Sequence, residues 1–232
     1  MNERQEQLLK IIVDSYIERA EPVGSAFVVD NFDLDVSPAT IRNDMAALEE
    51  DGYICQPHVS AGRIPTEAGY HAYLNRFLNA KPQPTARRKL ERACGEESAS
   101  EDALKDLARE LVALSGETVV LSFGPRRVYY AGLSNLFQKP EFQDLALLQM
   151  LSLNIDQFEN ALIELAELLA DEPRVFIGRQ NPFGNQMSSV VMRYRVPQAS
   201  GVLGLVGPMR MNYGRNMQLL QTTQEVLEEV FS

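Results

Sequence analysis

The sequence predicts an α+β protein with two folded parts and a linker between them. Over residues 1–79, apolar side chains recur at helical spacing between helix caps and turn residues. Over residues 101–232, apolar segments of strand length alternate with turns and with further amphipathic helices. Residues 80–100 hold two prolines, a basic cluster and a small polar stretch, which is typical of a linker. Since 45% of the 232 residues are hydrophobic, both parts can bury a core.

The first part begins with a helix predicted over about 3–20, where apolar residues fall on one face. Pro22 and Gly24 then interrupt the helical pattern. Ser25 is expected to cap a short second helix that runs to Phe32.

A third helix is predicted to start at Ser37, which serves as the cap, with Pro38 at the first helical position. Proline costs nothing there because its missing N–H has no partner in the first turn. The helix is expected to stop at Gly52. Its predicted apolar face carries Ile41, Met45 and Leu48.

A small β-wing follows, formed by two short strands over 53–57 and 64–65 around a loop over 58–63 that contains Gly62. Thr66 is expected to cap a fourth helix with an apolar side. Three helices, a β-wing and a closing helix describe a winged helix-turn-helix, which we predict over 1–79.

In such a module the start of the third helix enters the major groove of DNA, and the wing touches the backbone or the minor groove. Arg42 can bridge guanine O6 and N7, Asn43 can bridge adenine N6 and N7, and Thr40 can meet a thymine methyl group. The predicted DNA-binding residues are Ser37, Thr40, Arg42, Asn43, His58, Ser60 and Arg63.

Each of these residues also has a purely structural explanation. Ser37 is first a helix cap, and Thr40 is a polar residue of a first turn. Arg42 and Asn43 can simply form a solvated face, and His58 can be a neutral loop histidine.

The charge balance counts against DNA binding. The formal net charge is −10, and residues 1–80 carry 6 Lys and Arg against 13 Asp and Glu, a balance of −7. Non-specific affinity comes almost wholly from phosphate neutralisation, so weak non-specific binding is expected. An interaction protein whose winged helix binds protein instead of DNA is therefore an alternative.

The second domain is predicted over 101–232, with helices packed on an antiparallel sheet. Its predicted strands lie at 119–123, 128–132, 174–177, 189–196 and 202–206. Its predicted helices lie at 101–115, about 141–152, about 156–170 and about 212–231.

No catalytic set can be assembled from the reactive side chains. The two histidines, His58 and His71, both lie in the first module, and Cys55 and Cys94 match no nucleophile or metal-ligand motif. We therefore predict no enzymatic activity, cofactor or metal. A polar N-terminus and the lack of a long apolar run favour a cytoplasmic protein away from membranes.

Several motifs resemble the HrcA family of heat-inducible transcription repressors. In the first module they are Glu21-Pro22-Val23-Gly24-Ser25, Ser37-Pro38-Ala39-Thr40-Ile41-Arg42-Asn43 and Ser60-Ala61-Gly62-Arg63-Ile64-Pro65-Thr66. In the second domain they are Gly132-Leu133-Ser134-Asn135-Leu136, Pro140-Glu141-Phe142, Arg174-Val175-Phe176-Ile177-Gly178, Asn181-Pro182 and Gly207-Pro208-Met209-Arg210-Met211-Asn212-Tyr213.

The resemblance implies a winged helix-turn-helix followed by a GAF-like domain. It also implies a homodimer that binds an inverted-repeat operator upstream of chaperone genes. The chaperonin GroEL would promote the active state, and heat stress would relieve repression.

Members of that family usually carry an additional dimerisation domain inserted in the GAF-like part. Here residues 121–130 run through Gly124-Pro125-Arg126-Arg127, so a tight turn replaces the insertion. Dimerisation is then expected to fall to the helix at 101–115, the linker or the GAF-like surface. The smaller domain is also expected to be marginally stable, which would allow it to unfold on heating.

A regulator that senses a small molecule is the remaining alternative. Gly184-Asn185-Gln186 and Gly207-Pro208 could edge a pocket of the second domain, although they are equally typical of ordinary loops.

Overall fold

The computed structural model describes residues 1–34, 36–78, 84–95, 100–124, 127–142, 145–197 and 199–231. The chain forms two compact units, Met1–Leu78 and Asn79–Ser232. Helices and antiparallel strands occur in both, which confirms the predicted α+β class. Within the described ranges, no helix is both long and apolar enough to cross a membrane.

The described residues of the first unit form four helices and a two-stranded antiparallel sheet. The elements in chain order are α1 Glu3–Arg19, α2 Ser25–Asn31, α3 Pro38–Glu50, β1 Ile54–Cys55, β2 Ile64–Pro65 and α4 Glu67–Phe77. Their packing buries the side chains Leu8, Leu9, Ile12, Val13, Val28, Ile41, Leu48, Ile54 and Tyr70.

Local caps set the starts of two of these helices as the sequence predicts. The Ser37 hydroxyl accepts a hydrogen bond from the Thr40 amide at 3.2 Å, with Pro38 in the first turn of α3. The Thr66 hydroxyl likewise accepts from the Gly69 amide at 3.1 Å at the start of α4. Both side chains satisfy an amide that has no partner inside its helix.

The predicted Ser25 cap is wrong. Gly24 occupies the cap position of α2 without a side-chain hydrogen bond, and Ser25 is already the first helical residue. The reason is tertiary, because Val23 pairs with Arg63 in an isolated antiparallel bridge. That pairing ends the extended segment at Val23 and makes Gly24 the boundary residue, so the helix begins at Ser25, one residue earlier than a Ser25 cap would require.

The second unit contains a five-stranded sheet in which all neighbouring strands are antiparallel. The strands are β3 Thr118–Ser122, β4 Val128–Ala131, β5 Arg174–Ile177, β6 Met187–Val196 and β7 Ala199–Pro208, in the spatial order β4-β3-β7-β6-β5. The helices of the described residues are α5 Pro84–Cys94, α6 Glu101–Ser115, α7 Leu133–Gln138, α8 Leu145–Asp156, α9 Phe158–Leu168 and α10 Tyr213–Val230.

Helices cover the sheet and bury most of its side chains. One core cluster joins α9, through Phe158, Leu162 and Leu165, to inward-facing strand residues such as Val120 and Val191. The helix α10 packs on β6, and α6 packs on β3. The long strands β6 and β7 read as nearly continuous buried runs, as expected of strands that are covered by helices.

The predicted linker over 80–100 is wrong where the chain forms α5, Pro84–Cys94. Ala86, Leu90 and Cys94 recur every four residues and are buried, so α5 packs against α6 and α10. Half-buried Arg87, next to this stripe, forms ion pairs with Glu225 and Glu229 of α10. Prolines and charge outweighed this apolar stripe in the sequence prediction. Residues 80–83 and 96–99 of that predicted linker lie outside the described residues.

The connection between β3 and β4 is short. The Phe123 amide donates to the Arg127 carbonyl at 2.9 Å, and Ser122 pairs with Val128 in the sheet. Pro125 and Arg126, which the sequence predicts to form a tight turn, lie outside the described residues.

Candidate nucleic-acid interface

The helix α3 presents a polar face opposite the buried side chains of its core face. Arg42 and Asn43 are exposed, whereas Ile41 and Asp44 beside them are buried. Asp44 accepts hydrogen bonds from the Arg4 guanidinium at 2.6 and 3.1 Å. This ion pair ties α3 to α1 on the buried side of α3, and Arg42 and Asn43 face outward.

Most cations of the first unit are already neutralised by carboxylates. Among its described residues, five of the six Lys and Arg side chains form ion pairs and Arg42 is the one that forms none. The pairs are Arg4–Asp44, Lys10–Asp14, Arg19–Glu21, Arg63–Glu49 and Arg76–Glu6. Among the described residues of this unit, Arg42 is therefore the exposed cation that no carboxylate pairs with.

Two other predicted residues lie at the start of the same helix. Ser37 is exposed, and its hydroxyl lies 3.2 Å from the Thr40 amide and 3.0 Å from the Thr40 hydroxyl. The structural role expected for Ser37 is thus present. Both side chains lie at the N-terminal end of α3, where the helix dipole favours an anion and where no hydrogen bond of the described residues engages the Ala39 amide.

The loop between β1 and β2 is held against the end of α3 by one carboxylate. Glu49 accepts from the Gln56 amide at 3.1 Å and from the Arg63 guanidinium at 2.9 Å. The Arg63 side chain is 22% exposed and the Glu49 side chain 34%. Arg63 is therefore engaged within the unit, whereas sequence reasoning considered it only as an external contact.

A second attachment joins the same loop to the turn before α2. The Val23 amide donates to the Arg63 carbonyl, and the Arg63 amide donates to the Val23 carbonyl, both at 2.9 Å. Gly62 makes this approach possible, because an added Cβ would lie 2.5 Å from the Val23 carbonyl carbon. Two anchors, one on α3 and one before α2, thus set the position of the loop.

The tip of the loop carries the remaining predicted residues and one that the prediction missed. His58 and Ser60 are exposed, and the Ala61 amide donates to the His58 carbonyl at 3.0 Å. Ser60 has a φ of 68°, an uncommon conformation for a residue with a side chain. Between them Val59 is 90% exposed. The signal in the sequence was an apolar residue that belongs to no predicted helix or strand.

The structure brings part of the predicted set together in one groove. Arg42 on α3 and the loop residues Ser60 and Arg63 line a groove of about 320 Å³, together with Ser25 of α2. The other four predicted residues, Ser37, Thr40, Asn43 and His58, lie outside this lining. A cation from the helix and a loop that is fixed at two points therefore face a common concave surface.

Comparison with known proteins identifies the family. A family model for the HrcA protein C terminal domain matches residues 63–217. The chain belongs to the HrcA family. The match covers the end of the first unit and most of the second, including the sheet and the start of α10.

Curated relatives carry the name of the same family. A heat-inducible transcription repressor HrcA from Beutenbergia cavernae is 44% identical over 123 residues, covering 53% of this chain and 35% of the relative. The HrcA of Nocardioides sp. is 37% identical over 175 residues, covering 73% of this chain and 50% of the relative. The matched part thus spans between about a third and a half of the length of these relatives.

A solved structure shares the fold of the whole chain. A crystal structure of a hypothetical protein superposes with a TM-score of 0.79 over 100% of this chain and 98% of that chain, at 22% identity. This likeness concerns the fold alone.

Proposed function

We propose that this HrcA-family protein is a DNA-binding transcriptional repressor of heat-shock (chaperone) genes. The matched relatives are heat-inducible transcription repressors. In this proposal the first unit is a winged helix-turn-helix, with α3 as the recognition helix and the loop between β1 and β2 as the wing. The single observation that carries it is Arg42, the exposed cation without a carboxylate partner among the described residues of its unit.

The contacts follow from the chemistry of these side chains. Arg42 would bridge guanine O6 and N7, Asn43 would bridge adenine N6 and N7, and Thr40 would meet a thymine methyl group. The Ser37 hydroxyl and the Ala39 amide, at the N-terminal end of α3, would bind a phosphate.

The wing would contribute to DNA binding mainly through the place where it is held against α3. His58 and Ser60 would contact the backbone or the minor groove from the tip. Arg63 would hold the wing against Glu49 and face a phosphate from the groove that it shares with Arg42.

The acidic surface suits a protein that depends on specific contacts. Because most cations are paired internally, few phosphates can be neutralised, so non-specific affinity would be low. Two copies on an inverted repeat would double the specific contacts, which supports a homodimer.

We further propose that the second unit is a GAF-like regulatory domain, that the chaperonin GroEL promotes the active state in the cytoplasm, and that heat relieves repression.

Fluorescence anisotropy with an inverted-repeat duplex and a scrambled duplex, across a salt series, tests the proposal. Arg42→Ala and Asn43→Ala should each cost about 1–3 kcal/mol on the repeat, or roughly 5- to 150-fold in Kd. Lys10→Ala is the matched control, because it removes one charge from an exposed ion pair on α1. It should leave the preference for the repeat unchanged.

Equal affinity for both duplexes, with or without added chaperonin, would contradict the proposal. A preference for the repeat that survives Arg42→Ala would contradict the assignment of α3 as the recognition helix. A preference that appears only when chaperonin is present would support the proposed role of GroEL.

A further inference from the structure

An arginine on the inner face of a central strand has no ion-pair partner in the described part of the chain. Arg193 is half-buried on β6, two residues after Val191 of the core cluster. Since side chains alternate along a strand, Arg193 points to the face that α9 covers. It lies in register with Val202 of β7, and no carboxylate of the described residues forms an ion pair with it. A half-buried charge without a partner is costly, so this position needs an explanation.

Arg193 lines a cavity of about 300 Å³ between this end of the sheet and α9. That volume lies at the lower end of the range for small-molecule sites. The apolar part of its lining consists of Val128, Leu162, Ile163 and Ala166. The loops at 184–186 and 207–208, which sequence analysis considered as pocket edges, do not line it.

The floor of the cavity is closed by backbone that is held by hydrogen bonds. The Val202 amide donates to the Ser122 hydroxyl at 2.8 Å, and the Tyr194 hydroxyl donates to the Ser122 carbonyl at 2.7 Å. An added Cβ on Gly201 would lie 2.0 Å from that carbonyl oxygen. The cavity is therefore preformed on its sheet side, which lowers the cost of ordering a ligand.

Two carboxylates line the same cavity. Glu159 and Glu167 lie two turns apart on α9, with Ile163 between them on the same face. Neither glutamate forms an ion pair with a described residue, and neither reaches Arg193. The cavity thus presents one cation and two anions around an apolar wall, all three without a partner in the described structure.

We propose that this cavity binds a small zwitterion with an apolar side chain, of the class of the aliphatic amino acids. The ligand carboxylate would pair with the Arg193 guanidinium, which suits a planar two-oxygen acceptor. Its ammonium group would face Glu159 or Glu167, and its side chain would pack on Leu162, Ile163 and Ala166. The proposal adds a ligand site in the second unit and does not depend on DNA binding by the first.

Isothermal titration calorimetry and thermal melting of the full chain test this site with three matched probes. L-Leucine carries both charges, 4-methylpentanoate lacks the ammonium group, and isoamylamine lacks the carboxylate. L-Leucine, added up to about 10 mM, should bind and raise the melting temperature. Each single-charge probe should bind at least roughly tenfold more weakly, since each lacks one charge-assisted hydrogen bond.

Variants separate the site from general effects on folding. Arg193→Gln should weaken L-leucine binding by about tenfold or more, and without ligand it should melt no lower than the wild type because it removes an unpaired charge. Arg195→Gln is the matched control, since Arg195 lies on the same strand, is exposed, pairs with Asp171 and is outside the lining. Glu159→Gln combined with Glu167→Gln should also weaken binding, whereas Glu164→Gln on the exposed side of α9 should not.

Absence of any heat or melting shift with L-leucine would overturn the proposal. So would L-leucine binding that Arg193→Gln leaves unchanged, or equal binding of all three probes. None of these results would bear on operator binding, which is measured with the first unit's own variants.

Discussion

The approach of the wing to the turn before α2 depends on the absence of a side chain at Gly62. A methyl group there would lie 2.5 Å from the carbonyl carbon and 2.6 Å from the carbonyl oxygen of Val23. Both atoms belong to the backbone, so relief requires the two segments to separate. Separation breaks the two hydrogen bonds of 2.9 Å between Val23 and Arg63. At about 0.5–1.5 kcal/mol each, Gly62→Ala should lower the free energy of unfolding of the first unit by about 1–3 kcal/mol.

Gly24→Ala is the matched control, because nothing lies within 4 Å of its added methyl and its φ is −89°. Its cost should stay below about 1 kcal/mol, the usual scale of a cap substitution. Urea denaturation followed by circular dichroism gives the stabilities, and amide hydrogen exchange reports the Arg63 amide directly. We expect Gly62→Ala to lose protection at Arg63 and to weaken operator binding more than Gly24→Ala. Equal stability of the two variants, with protection retained at Arg63, would refute the proposed anchoring of the wing.

Two further predictions concern α5, the helix that replaces most of the expected linker. Leu90→Ala should destabilise the second unit by about 2–5 kcal/mol because Leu90 is fully buried. Arg88→Ala, on the exposed side of α5, should change the free energy of unfolding by less than about 0.5 kcal/mol. Equal urea midpoints of the two variants would mean that α5 does not stabilise the unit. Burial raises the pKa of Cys94 from 9.0 to about 11, so at pH 8 iodoacetamide should label half-buried Cys55 first and Cys94 only after unfolding. Because the pKa of this thiol is higher in the folded protein than in the unfolded one, its contribution to the free energy of unfolding is fully present below pH 9 and decreases as pH rises toward 11. Equal labelling rates of the two cysteines in the folded protein would contradict the burial of Cys94.

Features that depend on neighbours within one or two turns were predictable from the sequence. The caps at Ser37 and Thr66, the buried face of α3 and the exposure of Arg42 all follow from local spacing and local hydrogen bonding. The antiparallel sheet of the second unit was also predictable, because paired apolar segments separated by short turns favour it.

Where local signals conflicted, the tertiary contacts decided. The cap preference of Ser25 is overridden by the bridge between Val23 and Arg63, residues that lie 40 positions apart. The segment of α5 begins at a proline and carries a basic cluster, both typical of a linker, yet its stripe of buried residues packs against α6 and α10. Packing of that stripe stabilises the helix, since a helix of 11 residues is marginal in water on its own.

The sequence by itself was enough to predict the α+β class and the order of most elements, and it contains the family motif at the start of α3. Only the tertiary structure decided which charges are free, because ion pairs join residues whose separation leaves no periodic signal. Arg63 is held by Glu49, 14 positions away, while Arg42 has no such partner among the described residues. Arg193 likewise lies in a largely buried strand, and only the packing of α9 on the sheet brings it into one cavity with Glu159 and Glu167. Interactions between residues close in sequence decide which helices and strands form, whereas the pairing of charges depends on how those helices and strands pack.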